Sequence, residues 1–406
     1  MSDYLPSEVI INILSRVPAK SLVKFRCVCK SWRSLISSSD FTSAHLHLPT
    51  KPPLLLLRHS SLAPTYKEIY SLRFDDGDFT SLLDLHCPFK TESGCFFRVV
   101  GCCNGVICLS DDYFSYTDTI ILWNPAIRRY LTLPRPNLRF GDSDNSHFFA
   151  LGFGFDPKTN DHKIIRIVYQ KAAGEGRTCR KKKKKQAPDG KVWGIPPRVE
   201  VYALSTGKWK TVKDVKIGYH LVEFFWSSVF ANGRVHWMAY SGGKFDGYCN
   251  VILVFDVGSE MFREMKLPRK LVSECPLNLA VVAYRDSIAV FQYEDRFPYT
   301  GKDFTVWVMK QSSGEVVAEK WDGNLVSCQP GRIKKMGICG GKESFYLGTY
   351  AESLILLDGG IVVPTEDTAS SAGADDSSDD AAVLSDAKLD ELSRFHYMFA
   401  ASGLNA

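Results

Sequence analysis

A repeat with a period of about fifty residues occupies most of the chain and limits the folds open to it. Alternating apolar and polar residues, broken by Gly, Asn-Gly and Asp-Pro, predict many short antiparallel strands. Six strand centres recur, at Tyr70, Trp123, Tyr202, Phe255, Trp307 and Leu357. Successive centres lie 53, 79, 53, 52 and 50 residues apart, and the long interval contains the basic stretch 171–197. Without those 27 residues that interval is 52, so the unit repeats regularly.

A period of this length is typical of the blades of kelch-type β-propellers and exceeds that of WD repeats. Hairpin-like segments precede the centres, and Asn104-Gly105 and Asn232-Gly233 are signals for type I′ turns. Six units predict a mainly β fold with a six-bladed kelch-like β-propeller over 50–358, in which 171–197 is a basic loop insertion. Radial closure would leave few long strand edges exposed.

The first forty residues carry a different pattern, which predicts short amphipathic helices that follow Pro6 and Pro18. Apolar residues recur there at three- and four-residue steps, first at Val9, Ile10, Ile13, Leu14 and Val17, then at Leu22, Phe25, Val28, Trp32, Leu35 and Ile36. Helices this short are marginal alone, and so few residues cannot bury this much apolar surface among themselves. Part of that surface is therefore expected to face a partner.

The order of residues 5–36, LPSEVIINILSRVPAKSLVKFRCVCKSWRSLI, resembles the plant form of the F-box motif without a gap. The resemblance implies a three-helix F-box domain over 1–45 that docks onto a Skp-type adaptor and so joins a cullin-RING ubiquitin ligase. It further implies that eight residues lie at or support the adaptor interface: Leu5, Pro6, Ile10, Leu14, Pro18, Leu22, Val28 and Trp32. The alternative is an ordinary helical hairpin packed on its own domain.

The repeat region resembles the type-1 F-box-associated domain. The segments that carry the resemblance are GCCNG at 101–105, WNPAIRRYLTLP at 123–134, GFGFDP at 152–157, and DHK at 161–163. Ala126-Ile127 stands where the family more often has Ser-Thr, a departure expected to alter only a turn. The similarity fades beyond residue 300, so the last two blades rest on spacing.

Two segments depart from the globular composition. A basic run within the loop insertion is either a solvated loop, or a nuclear-import signal or polyanion contact; it comprises Arg180, Lys181, Lys182, Lys183, Lys184 and Lys185. Without interleaved aromatic residues it does not indicate nucleic-acid binding. Residues 359–406 carry nine acidic and two basic residues and predict a disordered acidic tail with a short amphipathic helix near 386–400. That helix would pack on the propeller, bind a partner or fray free.

Catalytic motifs are missing from the sequence: it has no P-loop, GxGxxG unit, HExxH, nucleophile elbow or CxxC. His45 and His47 are close enough to share a metal, but no third ligand follows at a suitable spacing. No signal peptide or apolar run of transmembrane length is recognised in the sequence. The twelve cysteines show no disulfide pattern, so we expect them to be small core residues of a protein in a reducing compartment. We expect no metal, no cofactor and no membrane contact, with a cytoplasmic and/or nuclear location.

Together, the two resemblances imply a non-catalytic substrate receptor of an SCF-type ubiquitin ligase. In that role the F-box would bind the Skp-type adaptor, and the propeller would bind an unknown protein client for ubiquitination and degradation. The alternative is a propeller scaffold that uses the adaptor outside a ligase.

Overall fold

The fold is known from a computed structural model that describes most of the chain. The described residues are 6–48, 54–61, 67–76, 79–89, 91, 97–111, 118–138, 147–170, 197–213, 215, 217–221, 228–243, 247–284, 287–293, 303–310, 320–327, 346–355, 357 and 360–362. Leu5, the basic run Arg180–Lys185 and the helix predicted near 386–400 lie outside them.

Residues 6–48 form a helical module with four helices, whereas three were predicted. They are α1 (Ser7–Ser15), α2 (Ala19–Phe25), α3 (Lys30–Ser37) and α4 (Ser39–Leu46). Pro6 and Pro18, both in extended conformation, precede α1 and α2 as expected from their positions in the sequence. Ser38 explains the additional helix, because it ends α3 and its hydroxyl accepts a hydrogen bond from the Phe41 N–H (3.2 Å), which caps α4.

The other described residues are almost entirely antiparallel β-structure. Its strands are β1 (Leu54–Ser61), β2 (Lys67–Phe74), β3 (Ser81–Leu85), β4 (Arg98–Cys103), β5 (Val106–Ser110), β6 (Ile120–Asn124), β7 (Arg129–Thr132), β8 (His147–Asp156), β9 (Asp161–Gln170), β10 (Arg198–Ala203), β11 (Lys208–Val212), β12 (His220–Leu221), β13 (Val229–Ala231), β14 (Arg234–Gly243), β15 (Gly247–Asp256), β16 (Met261–Lys266), β17 (Leu279–Tyr284), β18 (Ser287–Tyr293), β19 (Asp303–Lys310), β20 (Lys320–Ser327), β21 (Tyr346–Tyr350) and β22 (Ile361–Val362). One helical turn, α5 (Arg269–Val272), and two 3-10 turns, Pro125–Ile127 and Pro276–Asn278, interrupt them.

These strands form five sheets, which are the blades of a β-propeller. Sheet I has the order β21-β1-β2-β3 and sheet II the order β4-β5-β6-β7-β22. Sheet III is β8-β9-β10-β11, sheet IV is β14-β15-β16 with β12 and β13 both paired to β14, and sheet V is β17-β18-β19-β20. The first five predicted strand centres lie in corresponding strands, one per sheet: Tyr70, Trp123, Tyr202, Phe255 and Trp307. Over these five units, the predicted repeat therefore matches the observed blades strand for strand.

The prediction of a sixth blade is wrong for the described residues. The strand of the last unit, β21, pairs with β1, with Leu54 opposite Tyr350, and so completes sheet I. Leu357 lies outside the strands with a φ of 50° and is buried against sheets II and III. Beyond it, β22 extends the outer edge of sheet II by pairing with β7. The C-terminal part of the repeat thus completes earlier blades.

Apolar clusters fill the spaces between consecutive sheets from I to V. Between sheets III and IV the contact is especially close, because a Cβ at Gly152 would overlap the Trp237 ring. The indole N–H of Trp237 donates to the Leu151 carbonyl (2.9 Å), which fixes the ring over β8. The predicted type I′ turns are confirmed, with positive φ at both residues of Asn104-Gly105 and Asn232-Gly233.

Candidate functional site

The helical module has an apolar core of its own, formed by Leu14, Ala19, Leu22, Ile36 and Phe41. Leu14 and Leu22 are only 2% and 0% exposed, so these two predicted interface residues can support a partner surface but cannot touch a partner. Ile10 and Trp32 pack against the same core and are partly buried.

The surface of the module nevertheless exposes large apolar side chains. Val9 and Ile13, four residues apart on α1, are 40% and 53% exposed, and Val28 in the turn before α3 is 63% exposed. Pro6 and Pro18 are exposed as well. The predicted set is therefore divided between surface, intermediate and core positions, and it omitted Val9 and Ile13. Their signal was present, because five apolar residues on one short helix exceed what one side of that helix can bury.

The core of the module continues into the propeller. Ile127 and Leu354, 6% and 4% exposed, belong to the same apolar cluster as Leu14 and Leu22. The 3-10 turn Pro125–Ile127 lies against α2. The expectation that Ala126-Ile127 alters only a turn is therefore incorrect, because Ile127 places an apolar side chain where the helices pack. We call Ile127 and Leu354 the seat of the helical module.

Asn124 builds both halves of this seat. Its side-chain oxygen accepts a hydrogen bond from the Ala126 N–H (3.2 Å), which shapes the 3-10 turn that carries Ile127. Its side-chain NH₂ donates to the carbonyls of Ser353 (3.1 Å) and Ile355 (2.9 Å). The residue is fully buried, so each of these hydrogen bonds replaces water that it has lost. We call residues 351–355, which Asn124 holds in this way, the closing segment.

The turn at Asn104-Gly105 provides a second contact to the closing segment. A Cβ at Gly105 would overlap the Ala351 carbonyl oxygen and the Ser353 Cβ, so the backbone of this segment packs directly on the glycine. The NG and WNP motifs of the sequence thus meet at one place, where the chain closes on sheet II.

Three histidines, His162, His220 and His236, are buried in the propeller. Burial lowers the pKa values of His162, His220 and His236 to about 4, so these side chains are neutral near pH 7. In the helical module, His45 Nε2 lies 2.9 Å from the Val17 carbonyl and His47 Nδ1 lies 2.9 Å from the Ser43 carbonyl. Each ring is thus engaged with a backbone carbonyl of the helical module, and no third ligand accompanies the pair among the residues that the structure describes.

A buried thiol and a pocket are two further features of the propeller. Burial raises the pKa of the Cys102 thiol to about 12, so it stays protonated at neutral pH. One pocket of about 330 Å³ lies on sheet IV and is lined by Ile217, Tyr219, Leu253, Phe262, Arg263 and Glu264. Within the described parts of the chain, no helix is long and apolar enough to cross a membrane.

Comparison with known proteins places these features in one family. A family model described as the F-box associated beta propeller domain matches residues 19–344, most of the chain. The chain is 25% identical over 324 residues to an F-box/kelch-repeat protein of Arabidopsis thaliana, covering 77% of each chain. It is 28% identical over 280 residues to F-box protein CPR1 of the same plant, covering 66% of this chain and 61% of that relative. Another Arabidopsis F-box protein is 26% identical over 361 residues, covering 86% of this chain and 87% of the relative.

These similarities agree with the fold and with the helical module at its N-terminal end. They confirm the family predicted from the sequence, while its type-1 subtype stays a prediction. The chain belongs to the plant F-box proteins that carry an F-box associated beta propeller domain.

Proposed function

We propose that the chain is the substrate receptor of an SCF-type ubiquitin ligase. The observation that carries the proposal is the exposed apolar surface of the helical module, at Val9, Ile13 and Val28, within a sequence that follows the F-box motif. Large apolar side chains left in water at such positions favour a protein contact, which the family assigns to a Skp-type adaptor. The names of the relatives support the F-box part of this proposal.

In this role the chain works by proximity and does no chemistry itself. The F-box would tie the chain to the adaptor and through it to the cullin-RING ligase, while the propeller holds a protein client near the ubiquitin-charged enzyme. Client specificity would then come from the blades and their loops. This function would place the chain in the cytoplasm and/or the nucleus, and nuclear import through Arg180–Lys185 stays a prediction.

Binding to a recombinant Skp-type adaptor, measured by calorimetry on the full chain, tests the adaptor contact. Val28→Asp and Ile13→Asp should each weaken binding about tenfold or more, because each places a carboxylate in an apolar contact. The matched control is Met261→Asp on sheet IV, where the native side chain is 66% exposed, and it should leave affinity unchanged.

Equal affinity of all three variants and the unchanged chain would contradict the proposed adaptor surface. Reconstitution with cullin then separates the ligase role from an adaptor-bound scaffold. A receptor should direct cullin-dependent ubiquitylation of a bound client, whereas a scaffold should bind the adaptor without it.

A further inference from the structure

We propose that the F-box docks on the propeller only when the closing segment is in place. The helices of the adaptor-binding module are then well ordered only when the propeller has closed. The consequence for adaptor binding rests on the proposed function. The structural coupling between closing segment and F-box stands without it.

The closing segment is brought to its place by the longest-range pairing in the described sheets. It directly follows β21, which joins residues near 350 to β1 near residue 54. A contact between such distant parts of the chain carries a high loop-closure cost and depends on most of the intervening blades. The closing segment is therefore in place only when the blades between β1 and β21 have been arranged.

The closing segment, residues 351–355, contacts sheet II on one side and the F-box on the other. Asn124 binds the carbonyls of Ser353 and Ile355, and Gly105 leaves room for the backbone at Ala351. Between these anchors, Leu354 points into the F-box core and is 4% exposed. Displacing the segment from sheet II would therefore withdraw Leu354 from the helices.

The F-box has little stability of its own to replace that contact. Its four helices are seven to nine residues long, shorter than helices that persist alone in water. A module of about forty residues is also near the size below which a single core is insufficient. Loss of Leu354 would leave a gap in the apolar cluster that also contains Leu14, Leu22 and Ile127, so the helices should fray although no residue of theirs has changed.

Two glycines in equivalent turns provide the test. Gly105 and Gly233 are the second residues of Asn-Gly turns, with φ of 75° and 71°. Alanine at either position meets the same backbone strain. Only at Gly105 would the added Cβ overlap the closing segment, since nothing lies within 4 Å of the position at Gly233.

Hydrogen exchange on the isolated full-length chain should distinguish them. Gly105→Ala should raise amide exchange in 346–355 and, at least tenfold, in the F-box peptides from 6–48, while peptides of sheet IV stay protected. Gly233→Ala should leave 6–48 as in the unchanged chain. Exchange that rises in 346–355 but stays slow in 6–48 would overturn the proposal, because the F-box would then be ordered without its seat.

A second pair of variants covers the case in which Gly105→Ala unfolds the whole propeller. Leu354→Ser removes the apolar contact without backbone strain, and Leu354→Met keeps it. The serine variant should expose 6–48 to exchange, the methionine variant should not, and equal protection in both would overturn the proposal. If exchange behaves as expected but the unchanged chain binds no adaptor, the proposed function fails and the coupling stands.

Discussion

At the scale of single residues, the close packing of sheets III and IV depends on two glycines of β8, which have no side chain. Gly152 and Gly154 flank Phe153 on β8, so at these two positions one face of the strand has no side chain. Trp237 and Phe230 of sheet IV occupy the space that two Cβ atoms would need. The family motif GFGFDP thus specifies a close approach between two blades.

Gly152→Ala should destabilise the propeller by about 1–3 kcal/mol, because the new methyl group overpacks a contact in which the Trp237 ring cannot move freely. The ring is fixed by its hydrogen bond to the Leu151 carbonyl. Urea unfolding measured by circular dichroism reports the change as a lower midpoint. Gly218→Ala is the control, since no atom lies within 4 Å of its added Cβ, and equal midpoints for the two variants would contradict this account.

At the scale of elements, a buried lysine links two β-hairpins of adjacent blades. Lys163 on β9 donates to Asp156 Oδ2 (3.3 Å) in its own hairpin, and to the Val257 carbonyl (2.9 Å) and Glu260 Oε1 (3.1 Å) in the turn between β15 and β16. Lys210 on β11 reaches the other oxygen of Glu260 at 2.9 Å, but its side chain is 72% exposed. The same carboxylate therefore has one buried and one solvated partner.

Lys163→Met should lower the free energy of unfolding by about 3 kcal/mol, because it removes one member of a buried charge network. The Asp156 carboxylate, whose side chain is only 1% exposed, would then lose one of its partners. Lys210→Met should cost less than about 1 kcal/mol, as expected for an exposed ion pair. Chemical denaturation of both variants at low and high salt checks the contrast. A larger loss for Lys210→Met would show that burial does not set the strength of this link.

The first five blades could be predicted because their signals are local. An aromatic centre such as Trp123 marks its own strand, and Asn104-Gly105 requires the positive φ values that both residues adopt. The sixth unit failed because Leu357 has the right spacing, but the preceding backbone is held by Asn124, more than two hundred residues earlier. A contact of that range leaves no periodic signal in the sequence.

The candidate site could also be predicted only in part: its location follows from the sequence, but the exposure of its individual residues does not. Residue order identified the F-box, yet it could not show that Leu14 is buried while Ile13 is exposed, because both belong to one apolar stripe. Which side of the stripe faces inward is decided by α4 and by the seat on the propeller, both of which sequence reasoning missed. Ile127 was noticed as a departure from the family pattern, and only its contacts reveal what the departure does.

At the scale of the whole molecule, three buried histidines make the propeller sensitive to mild acid. Burial is the main cause that lowers the pKa values of His162, His220 and His236 to about 4, compared with about 6.5 in an unfolded chain. Between those two values the unfolded chain binds more protons than the folded one. Stability is therefore full above pH 6.5 and falls as the pH is lowered towards 4.

The free energy of unfolding should drop by roughly 2 kcal/mol per histidine between pH 7.5 and pH 5, a large share of the stability of an ordinary domain. The buried carboxyl group of Asp156 acts at lower pH. Burial tends to raise the pKa of Asp156, but hydrogen bonds from Thr159, Lys158 and Lys163 outweigh it and hold the pKa below its usual value of 3.8. The stability that Asp156 contributes is thus lost only below that value, outside the histidine window.

His162→Phe identifies the histidine contribution, because Phe keeps an aromatic ring between Phe153 and Phe155 without a group that titrates. Urea unfolding at pH 7.5, 6.0 and 5.0 should show a shallower pH dependence for the variant, by about one third if the three histidines contribute equally. The buried Nε2 of His162 has no hydrogen-bond partner among the described residues, but the ring also makes a hydrogen bond with the Cys103 backbone, so its replacement should cost about 1 kcal/mol at pH 7.5. An identical slope in variant and unchanged chain would assign the acid sensitivity to groups other than His162.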